Sequence, residues 1–167
     1  LCPAHAAPGL EMFVHGRSGG PSPARQHAEA GRAIARAHRL AEGMVLHVEQ
    51  SPEAIAAGAF HNDVVAVANG PVLMAHEQAF ADLPGTCAAI RERLPQAELV
   101  IVPAAEVSLA DAVRSYLFNA QLVSLPGGGM ALIVPTGAQG VAPVAAWLER
   151  LLRSNGPIRA VHAVDVR

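Results

Sequence analysis

Apolar residues along the chain form short runs, separated by turn-forming residues and by longer stretches in which apolar positions recur at helical spacing. Four runs have the length and composition of strands: LEMFVHGR (10–17), MVLHVEQ (44–50), AELVIVP (97–103) and PIRAVHAVDV (157–166). Helices are predicted at 24–41, 84–94 and 143–153, and SPEAIAAG (51–58) predicts one or two helical turns with Ser51 as the N-cap. The pattern therefore predicts an α+β fold.

Two further segments each hold two apolar runs around a glycine turn, which is the pattern of a β-hairpin. They are VVAVANGPVLMAH (64–76), with its turn at Asn69-Gly70, and FNAQLVSLPGGGMALIVP (118–135), with its turn in the glycine run. A predicted helix and a predicted strand follow each hairpin. The chain is therefore predicted to hold two ββαβ units, at about 58–103 and 116–167, behind an incomplete unit in residues 1–50, all in one partial domain.

The two complete units align at a spacing of 58 residues, and their apolar scaffold positions match. The matched pairs include Phe60 with Phe118, Ile90 with Leu148 and Leu94 with Leu152. A repeated supersecondary unit indicates an array whose members bury one another's faces. The polar residues His61 and Asp63 instead fall on Asn119 and Gln121. Residues needed only to begin a strand should suit both copies, so this difference favours a functional role for His61 and Asp63.

The segment around His61 and Asp63 also has the composition of a site that acts on a guanidine. In an extended segment, residues two apart face the same side, so these two side chains are expected to share one pocket with Asn62 turned away. A carboxylate matches the planar guanidinium group, and an imidazole transfers protons near neutral pH. On spacing alone, however, a single His-x-Asp before a strand is more often structural than catalytic.

Composition narrows the class of protein. Of the 167 residues, 51% are hydrophobic and 16% charged, so the chain can bury a core. A net charge of −2 without a basic run argues against nucleic-acid binding, and no apolar stretch is long enough to span a membrane. The eight histidines form no metal-binding pair, so no metal is expected. Cys2 and Cys87 form no CxxC motif, which favours a reducing compartment.

Four segments, in order along the chain, resemble the N-succinylarginine dihydrolases. They are PARQ (23–26), GAFHNDVVAVANGPVLMAHEQAF (58–80), SLADAVRSYLFNAQLVSLPGG (108–128) and PIRAVHAVDVR (157–167). The resemblance implies the fold of the guanidine-modifying enzymes, a β/α-propeller of five ββαβ units, of which about two and a half are expected here. It also implies a cytoplasmic, cofactor-free homodimer in bacterial arginine catabolism. The reaction is hydrolysis of N2-succinyl-L-arginine to N2-succinyl-L-ornithine, ammonia and carbon dioxide.

The resemblance assigns roles to three residues of this sequence. His61 matches the catalytic histidine of the family, which acts as general acid and base. Asp63 matches a substrate-binding carboxylate that would hold the guanidinium. Arg25 matches a substrate-binding arginine suited to a carboxylate of the substrate, although its position in the sequence is also that of a solvated residue on a first helical turn.

The family's nucleophilic cysteine follows the DVR strand, and its catalytic glutamate lies upstream of the matched region. Neither falls within the 167 residues, and Cys87 is no substitute, because it shares an apolar helix face with Ile90 and Leu94. Both ends of the sequence look cut, so a fragment that is inactive alone is expected. Two alternatives stay open: a non-catalytic domain of this architecture that binds a guanidino ligand, and a relative acting on another guanidine such as free arginine.

Overall fold

The computed structural model describes residues 1–17 and 26–166, in which eight strands and six helices form an α+β structure. The strands are β1 (Glu11–His15), β2 (Val45–Glu49), β3 (Ala66–Asn69), β4 (Val72–His76), β5 (Glu98–Val102), β6 (Gln121–Ser124), β7 (Met130–Pro135) and β8 (Ile158–Val164). The helices are α1 (Ala28–Ala37), α2 (Pro52–Ala56), α3 (Leu83–Arg93), α4 (Leu109–Ser115), α5 (Thr136–Gln139) and α6 (Ala142–Arg153).

Side-chain caps fix where three of the helices begin. The hydroxyl of Ser51 accepts a hydrogen bond from the amide of Ala54 at 3.2 Å, which confirms the predicted cap of α2. The carboxylate of Asp82 and the hydroxyl of Ser108 cap α3 and α4 in the same way. Helix α1 is shorter than the predicted 24–41, and its predicted N-cap at Ser22 lies outside the described residues.

The strands form three sheets, and the second and third sheets have the same order and pairing. Strands β3-β4-β5 and β6-β7-β8 each begin with an antiparallel pair and end with a parallel pair. We call these strands, with the helices between them, the second unit and the third unit. The first unit, β1-α1-β2, has only the parallel pair. The arrangement of these units as part of a propeller stays a prediction.

The units pack face to face, and β4 lies between two hydrophobic cores. All five of its residues are buried. Val72 and Met74 point into the core shared with the third unit, whereas Leu73 and Ala75 point into the core shared with the first unit. Burial on both faces explains why β4 is continuously apolar. Each large aliphatic side chain buried here contributes about 1.5–3 kcal/mol to the free energy of unfolding.

The two hairpins differ in their turns. In the second unit Asn69 still pairs with Val72, so the turn residues are Gly70 and Pro71, one position beyond the predicted Asn69-Gly70. Gly70 has φ 53°, and Pro71 fixes its own φ near about −65°, the combination of a type II′ turn. In the third unit Ser124 pairs with Met130, which leaves a five-residue loop at 125–129.

The longer loop breaks the predicted register of 58 residues at the first strand of each unit. The spacing still relates Ala75 of β4 to Ile133 of β7. Their antiparallel partners are Ala66 and Gln121, which are 55 residues apart. Continuing that spacing back along the chain, Tyr116 and Phe118 correspond to His61 and Asp63. The predicted match of His61 with Asn119 and of Asp63 with Gln121 was therefore wrong, because one ungapped alignment cannot accommodate hairpins of different length.

Candidate active site

The connection that leads into β3 is a short turn of 3-10 helix over Asn62–Val64. The amide of Val64 donates to the carbonyl of His61 at 3.2 Å, and the amide of Val65 donates to that of Asn62 at 3.0 Å. Only His61, with φ −110° and ψ 143°, is extended. The expectation of an extended segment was wrong here, so alternation does not establish that His61 and Asp63 face one side.

The structure places His61 and Asp63 in different surroundings. His61 is half-buried, and its ring lies at a tilt of 45° to that of Phe60, with 4.8 Å between centroids. It lines a cavity of about 90 Å³ together with His15 and Gln50. Asp63 is exposed and forms no ion pair with any described residue. Both side chains are therefore accessible to a small ligand, although no hydrogen bond joins them within the described residues.

The third residue assigned by resemblance, Arg25, lies outside the described residues. The next residue, Gln26, lines the same cavity as His61. Its carbonyl accepts a hydrogen bond from the amide of Gly16 at 3.1 Å, so the chain returns beside the end of β1. The described part of the chain thus brings the neighbour of Arg25 to the cavity.

Gln50 was not identified from the sequence, yet it holds the His61 connection in place. Only 5% of this residue is exposed. Its Nε2 donates to the carbonyl of Ala59 and, at 3.5 Å, to that of His61. Its backbone amide donates to the carbonyl of His15 at 2.7 Å, which links the connection to the end of β1. The available signal was a polar residue closing the apolar run MVLHVEQ.

Asn62 also deserves a place in the site description, because its side chain reaches the open edge of β1. It lines the His61 cavity and two larger cavities, of about 260 and 250 Å³, that extend along Met12 and Val14. Its Oδ1 is buried and finds no hydrogen-bond donor among the described residues. A buried acceptor without a partner costs about 1–3 kcal/mol.

Other residues with reactive side chains have structural surroundings. The Nε2 of fully buried His76 donates to the Val107 carbonyl at 2.9 Å, and its Nδ1 accepts from the amide of Gln78. Burial lowers the pKa of His76, so this ring is neutral. Burial also raises the pKa of the Cys87 thiol, which is 8% exposed, and this confirms the predicted buried thiol.

Two classes of feature are missing from the described residues. Residues 1–17 and 26–166 contain no group of three or more His, Cys, Asp or Glu side chains placed to hold a metal ion. Nor does any helix in that part of the chain have the length and apolar character needed to cross a membrane.

The sequence profile of the succinylarginine dihydrolases matches residues 1–167. The chain belongs to the succinylarginine dihydrolase family. It is similar to the N-succinylarginine dihydrolases of Novosphingobium aromaticivorans, Sphingopyxis alaskensis and Pseudomonas savastanoi pv. phaseolicola, with identities of 64%, 55% and 46%. These matches cover 100% of this chain and 40% of each relative. The chain thus spans about 40% of the length of the curated relatives it matches.

Within the succinylarginine dihydrolase family, the described site is suited to part of one reaction. The His61 ring makes no hydrogen bond to a described residue, so both its nitrogens are available for proton transfer. The exposed carboxylate of Asp63 can accept two parallel N–H bonds from a guanidinium. Gln50 supports the backbone that carries them.

Proposed function

We propose that the protein to which this chain contributes is an N-succinylarginine dihydrolase. It hydrolyses N2-succinyl-L-arginine with two waters, giving N2-succinyl-L-ornithine, two molecules of ammonia and one of carbon dioxide. The observation that carries this proposal is the family match over all 167 residues, together with relatives of that name at up to 64% identity.

The proposal gives each site residue a chemical role. His61, at the wall of its cavity, donates and accepts the protons that leave and join the guanidine nitrogens. Asp63 holds the guanidinium through paired N–H bonds. Arg25 binds a carboxylate of the substrate, which carries more than one.

The reaction also needs a nucleophile, because the guanidine carbon is a resonance-stabilised and poor electrophile. Neither His61 nor Asp63 replaces a thiolate in forming a covalent amidino intermediate. Cys87 is buried with a raised pKa, so it does not supply that thiolate. The proposal assigns the nucleophile to the part of the relatives' length that this chain does not cover.

The architecture we propose for the whole protein is a β/α-propeller of five ββαβ units in a cytoplasmic homodimer. Its support is the identical strand order of the second and third units and their face-to-face packing. A hydrogen bond of 3.1 Å from Asn69 to Ser124 also joins the ends of β3 and β6, the first strands of the two units. Neighbouring first strands are what a radial array requires.

An ammonia-release assay tests the proposed activity, using the chain extended at both ends to the length of its relatives. His61→Ala should abolish turnover of N-succinylarginine, and Asp63→Asn should reduce it severely. His162→Ala, at an exposed position of β8, is the matched control and should have little effect. Turnover of free arginine instead would support a relative with another substrate, whereas binding without ammonia release would support a non-catalytic domain.

A further inference from the structure

A groove of about 570 Å³ lies between the C-terminal ends of α1 and α3, and four arginines line it. They are Arg32, Arg36, Arg39 and Arg93. The only acidic residue among its described lining residues is Glu42. The groove shares no lining residue with the cavity beside His61. It therefore concentrates positive charge at a place that the proposed reaction does not use.

The guanidinium groups of this arginine groove are only partly neutralised. Arg32 pairs with Glu29, and Arg93 pairs with Glu92 at 3.2 Å. Neither Arg36 nor Arg39 forms an ion pair with a described residue. The Nε of Arg93 is buried and has no hydrogen-bond partner in the described part of the chain. The groove thus contains unpaired cations and an unsatisfied donor, which an anion would satisfy together.

The backbone of Arg39 adds a second indication. Its φ of 54° lies in the left-handed region, and the amide of Leu40 donates to the carbonyl of Ala35 at 3.0 Å, which closes the end of α1. Glycine or asparagine is the usual residue at such a position. Helix α6 follows that rule with Asn155 at φ 59°. Arginine at this position of α1 suits the backbone poorly but places a guanidinium at the groove.

Basic residues near helix C-termini also stabilise the helix dipole, and Arg36 and Arg93 lie in the last turns of α1 and α3. That role does not explain the left-handed Arg39, which lies beyond α1, or the unsatisfied Nε of Arg93. It also does not explain why both helix ends supply arginines to one groove.

We propose that the arginine groove is a binding site for a polyvalent oxyanion, such as a phosphate group. The planar guanidinium forms paired hydrogen bonds to phosphate oxygens, and several guanidinium groups around one ligand match its charge. The site is independent of the proposed dihydrolase activity, so its test does not depend on turnover.

Calorimetric titration with inorganic phosphate, at constant ionic strength, tests the site directly. It uses both the 167-residue chain and the chain extended to the relatives' length. We expect saturable binding that weakens about tenfold or more in Arg36→Gln/Arg39→Gln, since each lost charge-assisted hydrogen bond has that order of effect. The control is Arg150→Gln/Arg153→Gln, which removes the same charge from the last turn of α6. It should bind phosphate as the unsubstituted chain does.

Arg39→Gly separates binding from folding, because glycine suits the left-handed backbone at this position. This variant should melt at the same temperature as the unsubstituted chain or higher, yet bind phosphate several-fold more weakly. The ring of His47, which also lines the groove, gives an NMR readout. Burial, and then the charges of Arg32 and His15, lower the pKa of His47, while Glu29 raises it. Phosphate in the groove should raise that pKa.

Three results would overturn the proposal. The first is a folded chain that shows no saturable phosphate binding. The second is an equal loss of affinity in the α6 control, or none in Arg39→Gly. The third is binding by the short chain but not by the extended one, since the rest of the protein would then fill the groove.

Discussion

The second and third units have the same sheet but differ where the chain enters it. In the second unit a 3-10 turn leads into β3 and carries His61 and Asp63 beside a cavity and the surface. In the third unit the chain comes directly from α4, and Phe118, which corresponds to Asp63, is 1% exposed. The same scaffold therefore supports a polar entrance in one unit and a core-filling entrance in the other. The candidate chemistry lies in a connection rather than in the repeated sheet.

The comparison also shows how each entrance is held in place. The second unit uses the buried amide of Gln50, which donates to two backbone carbonyls of the connection. The third unit uses apolar packing, in which Phe118 meets the edge of the His76 ring at 6.4 Å between centroids. Hydrogen bonding leaves side chains free at the surface, whereas packing buries them. A polar support therefore suits an entrance that must expose a histidine and a carboxylate.

The largest expected effect concerns what the polar entrance cannot do alone. We expect the 167-residue chain to release no ammonia from N-succinylarginine, because it offers general acid–base groups but no accessible nucleophile. Acid–base help supplies about 10²–10⁴-fold, compared with about 10⁶-fold or more for typical enzymes. The assay compares the chain with its extended version. Robust release by the short chain that survives His61→Ala would contradict the mechanism.

The next effect tests whether the entrances correspond at 55 or 58 residues. Phe118→Ala should lower the free energy of unfolding by about 3–5 kcal/mol, because it leaves a cavity in the core. Phe60→Ala should cost far less, since Phe60 is 38% exposed. Urea unfolding of both variants gives the two values. Similar losses would restore the 58-residue alignment, in which these phenylalanines are equivalent.

A third prediction concerns the polar support itself. Gln50→Ala should lower the free energy of unfolding by about 1–3 kcal/mol, because the carbonyls of Ala59 and His61 lose their donor. It should also reduce turnover in the extended chain. Gln121→Ala, at an exposed position of β6, is the matched control and should change neither quantity measurably. Equal effects of the two substitutions would remove Gln50 from the site.

The smallest effect depends on pH and on the packing around Phe118. Burial lowers the pKa of His76 in the folded chain, whereas the unfolded chain protonates it near about pH 6.5. The unfolded state therefore binds more protons below that pH, and stability falls on acidification by at most about 1.4 kcal/mol per pH unit from this group. His76→Gln should flatten the urea midpoint's dependence on pH between neutral and mildly acidic conditions. His162→Gln should leave that dependence unchanged.

Much of the fold could be predicted because its signals are local. The run of apolar residues in β4, the glycine turns and the spacing of apolar residues in α6 depend on neighbours in sequence. Predicted and observed bounds of α3 and α6 agree within one residue. Helix α4 was not predicted, although Ser108 with Asp111 three residues later is a capping signal.

The predictions that failed depend on distances along the chain or through space. A three-residue difference between hairpin loops shifted the first strands, and no local pattern reports loop length. The 3-10 turn at Asn62–Val64 replaced the expected extension, so the shared face of His61 and Asp63 could not be derived. Gln50 acts through carbonyls nine and eleven residues away, which sequence spacing does not reveal.

The position of β4 between two cores has a consequence for how the chain responds to disturbance. A strand with one buried face can detach while its neighbours remain folded, but β4 cannot leave without exposing the cores of both adjoining units. The units therefore melt together rather than one by one, and amide protons of β4 should exchange only through global unfolding. A ligand held at the entrance of the second unit would, by the same coupling, protect the third unit from proteolysis.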